Sequence, residues 1–172
     1  MKALILFLIL SVNIFSQQKP LKTVDYVDIN KYLGLWHEVA KIPNRFQSQC
    51  VKGTTAKYSM KENGEIEVIN SCIGEDGSND QTEGVARIVD KKSNAKLEVS
   101  FFSILGWRPI WGDYWIIELD TNYQWAIVGT PSRKYGWILS RSTKLEKETL
   151  EIIYSILREQ GYNPNDFEFS KQ

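Results

Sequence analysis

The 172-residue chain has one histidine, His37, and two cysteines, Cys50 and Cys72. A single imidazole leaves a histidine-based general base or a multi-histidine metal site without its partners. No Ser–His–Asp pattern, glycine-rich phosphate loop or clustered Cys/His set is visible, so neither an enzyme nor a cofactor or metal is expected. An excess of charge is missing too. Lys+Arg and Asp+Glu number 21 each, so net charge predicts no nucleic-acid partner and no polybasic membrane patch. Long apolar runs are also absent. Behind Met1-Lys2, the stretch from Ala3 to Val12 is almost wholly apolar, too short to span a bilayer but suited to a signal peptide.

Residues 1–16 are therefore read as a signal peptide with cleavage near Ser16-Gln17, although Ile14 stands where a small residue is customary. No cysteine follows the apolar stretch, so an outer-membrane lipid anchor is not expected. A soluble exported protein, periplasmic or secreted, is. An oxidising compartment permits a Cys50–Cys72 disulfide, with two buried free thiols as the alternative. The spacing of the pair suits adjacent antiparallel strands joined through the Asn63-Gly64 turn.

Residues 25–172 read as one domain of about eight short strands separated by turns, the pattern of an all-β sandwich or barrel. Alternation is clearest at Lys96-Leu97-Glu98-Val99-Ser100-Phe101. The period changes after Lys144. Leu150, Ile153, Ile156 and Leu157 form a helical stripe that Gly161 ends. Tight-turn connectivity favours an eight-stranded antiparallel up-and-down barrel with one C-terminal α-helix packed outside, its interior wide enough for one small ligand. Gly34 and Trp36 fit the start of the first strand, where a large ring closes one end of the barrel. His37, next to that inward ring, is expected to face outward.

Tyr32-Leu33-Gly34-Leu35-Trp36-His37-Glu38-Val39-Ala40-Lys41-Ile42-Pro43 resembles the first signature of the lipocalins. Gly112-Asp113-Tyr114 is matched to the second and Trp137-Ile138-Leu139-Ser140-Arg141 to the third. Bacterial outer-membrane lipocalins, plant temperature-induced lipocalins and apolipoprotein D are the members it most resembles. The resemblance implies a barrel holding a hydrophobic ligand, with Arg141 stacked over Trp36 as a plug. It also sets up a conflict. The second signature belongs at the closed end, whereas strand order puts the start of the sixth strand at the open mouth.

Strict alternation assigns the lining to Ala40, Ala56, Tyr58, Met60, Leu97, Val99, Phe101, Trp115, Ile117, Leu119, Trp137 and Leu139. Such a lining suits transport of a fatty acid or lysophospholipid. The connection from Phe102 to Trp111 carries several large apolar side chains, which points to contact with ligand, a membrane surface or a partner. Two other classes stay open: a structural or partner-binding barrel using that loop, and a lipid-acting enzyme.

Overall fold

The computed structural model describes residues 19–172; the segment read as a signal peptide lies outside them. A four-residue helix, α1 (Ile29–Tyr32), opens the fold, with the Asp28 carboxylate accepting from the Asn30 N–H at its start. Gly34 follows at φ 95° and turns the chain into the first strand. That positive φ disfavours a side chain there, while an added Cβ would be in ordinary contact, 3.4 Å, with the Arg141 guanidinium.

Eight strands then form a closed antiparallel barrel: β1 (Gly34–Lys41), β2 (Lys52–Met60), β3 (Ile66–Ile73), β4 (Asn79–Ile88), β5 (Lys96–Ser100), β6 (Gly112–Leu119), β7 (Trp125–Gly129) and β8 (Gly136–Ser140). Each pairs with the next, and β1 pairs with both β2 and β8, which closes the sheet on itself. Because the strands alternate in direction, the start of β1, the β2–β3, β4–β5 and β6–β7 turns and the end of β8 share one end. Trp36 and α1 close that end. The β1–β2, β3–β4, β5–β6 and β7–β8 connections ring the other.

Two apolar layers hold this wall. The inner layer fills the barrel around Trp36, Tyr58, Val68, Ile116 and Val128. The outer layer lies under α2 (Lys147–Glu159), whose Ile153 and Leu157, one turn apart, are fully buried against Val39, Ile117, Ile127 and Ile138. Each such side chain contributes about 2 kcal/mol by burial. Gly161, at φ 80°, ends α2. Beyond it, the Tyr162 hydroxyl accepts from the Thr130 N–H at 2.9 Å and donates to the Tyr135 carbonyl at 3.0 Å. That docking needs the paired Gly129 and Gly136, since a Cβ on either collides with Tyr162 or Phe167.

β1 and β6 each contain an irregularity in register, between Glu38 and Ala40 and between Ile116 and Glu118. At such a bulge the inward–outward alternation resets. Past its own bulge β1 no longer pairs with β2. A last short strand, β9 (Glu168–Phe169), pairs with β1 there instead, and the Gly53 N–H donates to the Lys171 carbonyl.

Candidate functional site: the barrel interior and its two ends

At the closed end the Arg141 guanidinium lies 3.8 Å from the centre of the Trp36 ring. It also donates to the carbonyls of Lys31, Tyr32, Leu33 and Leu35 at 2.7–3.1 Å, and to that of Tyr123 at 3.3 Å. The Trp36 indole N–H donates to the Tyr32 carbonyl at 2.8 Å. The guanidinium therefore satisfies carbonyls that α1 leaves open at its C-terminal end, a short-helix version of a cationic cap. The contact expected of Gly34, Trp36 and Arg141 is present, and it ties α1, β1 and the end of β8 together.

The turn that sits beside this plug is Asp120–Gln124. The Arg141 N–H donates to the Gln124 carbonyl, the Tyr123 hydroxyl accepts from the Asp28 N–H, and Lys31 lies over the Tyr123 ring. Gly112, by contrast, pairs with Val99 near the end of β5, at the mouth. The match of Gly112-Asp113-Tyr114 to a closed-end motif is thus corrected. The strand order holds, and the turn beside the plug is the one that follows β6.

Directly above the plug three phenols meet. The Tyr114 hydroxyl is 2.8 Å from the Tyr32 hydroxyl and 2.8 Å from the Tyr58 hydroxyl. The Tyr32 ring packs at a tilt of 34° against Trp36, with ring centres 4.9 Å apart. Burial raises the pKa of all three, that of Tyr58 to about 12, so each is a neutral O–H at physiological pH. Nearer the mouth, the buried Glu38 carboxylate accepts from the Ser170 hydroxyl at 2.6 Å and the Gln47 amide at 2.7 Å, with the Lys41 ammonium at 3.1 Å. Gln47 in turn accepts from the Trp137 indole N–H at 3.1 Å. This network is well satisfied, and it fastens the 43–50 connection and the C-terminal segment onto the barrel wall.

A lipocalin-like domain family model matches residues 27–172. The chain belongs to the lipocalin family. Temperature-induced lipocalin-1 of Arabidopsis thaliana is 37% identical over 151 residues, 86% of this chain and 81% of that protein. Outer membrane lipoprotein Blc of Citrobacter freundii is 35% identical over 167 residues, 96% of this chain and 91% of that protein. Among solved structures, insecticyanin of the tobacco hornworm Manduca sexta superposes with a TM-score of 0.72 at 25% identity, covering 91% of this chain and 86% of that one. Members of the family are typically carriers of small hydrophobic molecules.

In this lipocalin, seven of the residues expected to line the barrel do pack on the inner cluster: Ala56, Tyr58, Leu97, Val99, Leu119, Trp137 and Leu139. Ala40, Trp115 and Ile117 do not. They belong to the outer layer under α2, and strict alternation mistook them for two reasons. The β1 bulge turns Ala40 outward. On β6 the residues facing inward are Tyr114 and Ile116, and the bulge after Ile116 restores Leu119 to the inner face. Met60 does not line the interior either: it is the last residue of β2, on the closed-end rim, and is 44% exposed. Phe101 lies beyond the end of β5, with its ring against Gly84 and part of its surface open. Tyr32, Tyr114, Glu38 and Gln47 were missed. Only Tyr114 carried a signal, the polar Asp113 before it, and Glu118 five residues on marks the opposite phase.

Cys50 and Cys72 form a disulfide between the β1–β2 connection and β3. The β5–β6 connection exposes Phe101, Phe102, Ile104, Leu105, Trp107 and Ile110, Trp107 to 67%. Trp111 behaves differently. The Arg87 guanidinium stacks 4.0 Å from its ring, Glu98 holds that guanidinium in place, and its indole N–H donates to the Arg108 carbonyl. Trp111 thus anchors the loop, and Trp107 is the aromatic it presents. Two clefts of about 390 and 370 Å³ flank Arg141 and Val39. Both are open to solvent and include none of the three phenols.

Proposed function

We propose that this lipocalin carries a fatty acid or lysophospholipid in its barrel. One observation carries the reading. Ala56, Ile88, Val99, Tyr114 and Trp137 pack on the inner apolar cluster yet keep accessible surface, which supports an apolar cargo held against that wall. A buried methylene contributes about 0.8 kcal/mol, so ten of them supply about 8 kcal/mol before ordering costs, and a longer chain reaches micromolar binding after them. Native mass spectrometry of the purified protein tests the reading. A bound lipid mass supports it; a bare protein that takes up neither palmitate nor lysophosphatidylcholine on titration overturns it.

Loading takes place, in this reading, at a lipid surface. The exposed side chains of the 101–110 loop surround the open end of the barrel, where a lipid has to enter, and an apolar patch of that kind marks a contact surface. Export is part of the same proposal. The disulfide suits an oxidising compartment, and one relative is by name an outer membrane lipoprotein. A partner-binding barrel is the competing reading of the loop, and pull-down of a protein with no lipid uptake favours it.

A further inference from the structure

We infer that Tyr32, Tyr58 and Tyr114 form the subsite for the polar end of the cargo, and that this end is a hydrogen-bond acceptor, a carboxylate or carbonyl oxygen, bound head-inward with its chain rising toward the mouth. The inference rests on the carrier reading and narrows it.

The argument begins with a count of protons. Three phenols carry three O–H protons, but the row Tyr32···Tyr114···Tyr58 contains two hydrogen bonds. Whichever way the hydroxyls rotate, two protons are used and one is left over. An O–H buried without an acceptor is costly, so the leftover proton needs a partner that the protein does not supply. Tyr32 and Tyr58 are 3% and 6% exposed, whereas Tyr114 keeps accessible surface. When the two outer phenols both donate to Tyr114, the free O–H belongs to the least enclosed of the three residues.

The chemistry of the partner follows from the surroundings. Burial keeps the phenols protonated, so the site offers a donor and not an anion. Arg141 acts on both Tyr32 and Tyr58 through its charge and favours negative charge at this place. Glu38 acts on Tyr58 in the opposite sense and more weakly, and its own charge is met by Lys41 at 3.1 Å. A carboxylate or acid carbonyl therefore finds a donor and a favourable field at the closed end. A lysophospholipid with its headgroup at the mouth sends a methyl group there and leaves the proton unpaired. The site consequently prefers a free fatty acid to a lysophospholipid of the same chain.

The test uses palmitate and palmitoyl lysophosphatidylcholine as probes, with the wild-type protein and the combined variant Tyr32→Phe, Tyr58→Phe and Tyr114→Phe. Removing all three hydroxyls together leaves no orphaned partner and nearly preserves shape, so the barrel is expected to fold. Palmitate should bind the variant about ten-fold or more weakly, with lysophosphatidylcholine unchanged. Palmitate affinity within about two-fold of wild type, or an equal loss for both ligands, overturns the subsite while leaving the carrier reading intact. Failure of both probes to bind wild-type protein overturns the carrier reading, and the subsite with it. A second measurement needs no variant: with carboxyl-labelled palmitate on the wild-type protein, the carboxyl carbon resonance should be shielded from a soluble paramagnetic agent. Strong relaxation by that agent places the head at the mouth and overturns the inference.

Discussion

Trp36 and Arg141 share one acceptor: the indole N–H and the guanidinium both donate to the Tyr32 carbonyl, at 2.8 and 3.1 Å, while the guanidinium lies across the indole face. Because the indole keeps its own bond when Arg141 is removed, the loss in Arg141→Ala falls on the stacking and on the carbonyls of Lys31, Leu33 and Leu35. Stability should drop by about 2–4 kcal/mol, read as a lower denaturant midpoint at unchanged slope. Lysophosphatidylcholine affinity at 25 °C should move little, whereas palmitate should bind more weakly because the favourable charge beside Tyr32 and Tyr58 is gone. A midpoint equal to wild type removes the plug from the account of stability.

The Cys50–Cys72 disulfide closes a loop with a sequence separation of 22. The chain-entropy model gives about 3 kcal/mol for a loop of this length. Unfolding with and without reductant should differ by roughly that amount, and neither thiol should alkylate in the native exported protein. Ready alkylation before reduction contradicts the pairing.

Alkaline pH should weaken the fold through the phenols. In the unfolded chain Tyr58 releases its proton near pH 10, whereas in the folded barrel it holds it to about 12. Between those values the folded state binds the extra proton, so stability is intact below pH 10 and falls as pH rises. Tyr58 alone accounts for a loss of about 3 kcal/mol by the upper end of that range. Tyrosinate absorbance should show four late-titrating phenols, Tyr32, Tyr58, Tyr114 and Tyr162, whose ionisation coincides with unfolding. Titration of all eight tyrosines near pH 10 with the barrel still folded contradicts this.

The two loop tryptophans should separate. Trp107→Ala removes an exposed ring and should reduce liposome association without lowering the thermal midpoint. Trp111→Ala removes the ring under Arg87 and should lower stability by about 1–2 kcal/mol. Liposome binding equal to wild type in Trp107→Ala assigns the loop a different purpose.

The strand order and the closing helix were legible in the sequence because each rests on a local pattern, whereas the Trp36–Arg141 contact came from the resemblance to the family. Polar residues at Lys96, Glu98 and Ser100 marked the faces of β5, and Gly161 marked the end of α2. β6 offered two markers that conflict, Asp113 and Glu118, an odd number of residues apart. Tyr114-Trp115-Ile116-Ile117 is buried or half-buried on both faces, inward against the phenols and outward under α2, so alternation could not choose its phase. Bulges in β1 and β6 have no residue signature here, and they decided Ala40 and Leu119 in opposite senses. The phenol cluster was illegible for another reason. Tyr32, Tyr58 and Tyr114 come from a helix and two strands, and only the closed barrel brings their hydroxyls together.

The β1–β8 pairing also governs how the molecule forms and how long it lasts. Glu38 meets Leu139 across about a hundred residues of chain, a contact whose loop-closure entropy must be met before it gives anything back. Until then β1 and β8 are open edges able to pair with another chain. The disulfide offers no help, because it constrains only the β2–β3 region. Trp36 and Arg141 stand on opposite sides of the late-closing seam and become neighbours only when it shuts. A contact that holds this seam shut slows escape from the native barrel, and this one lies directly beneath the phenols.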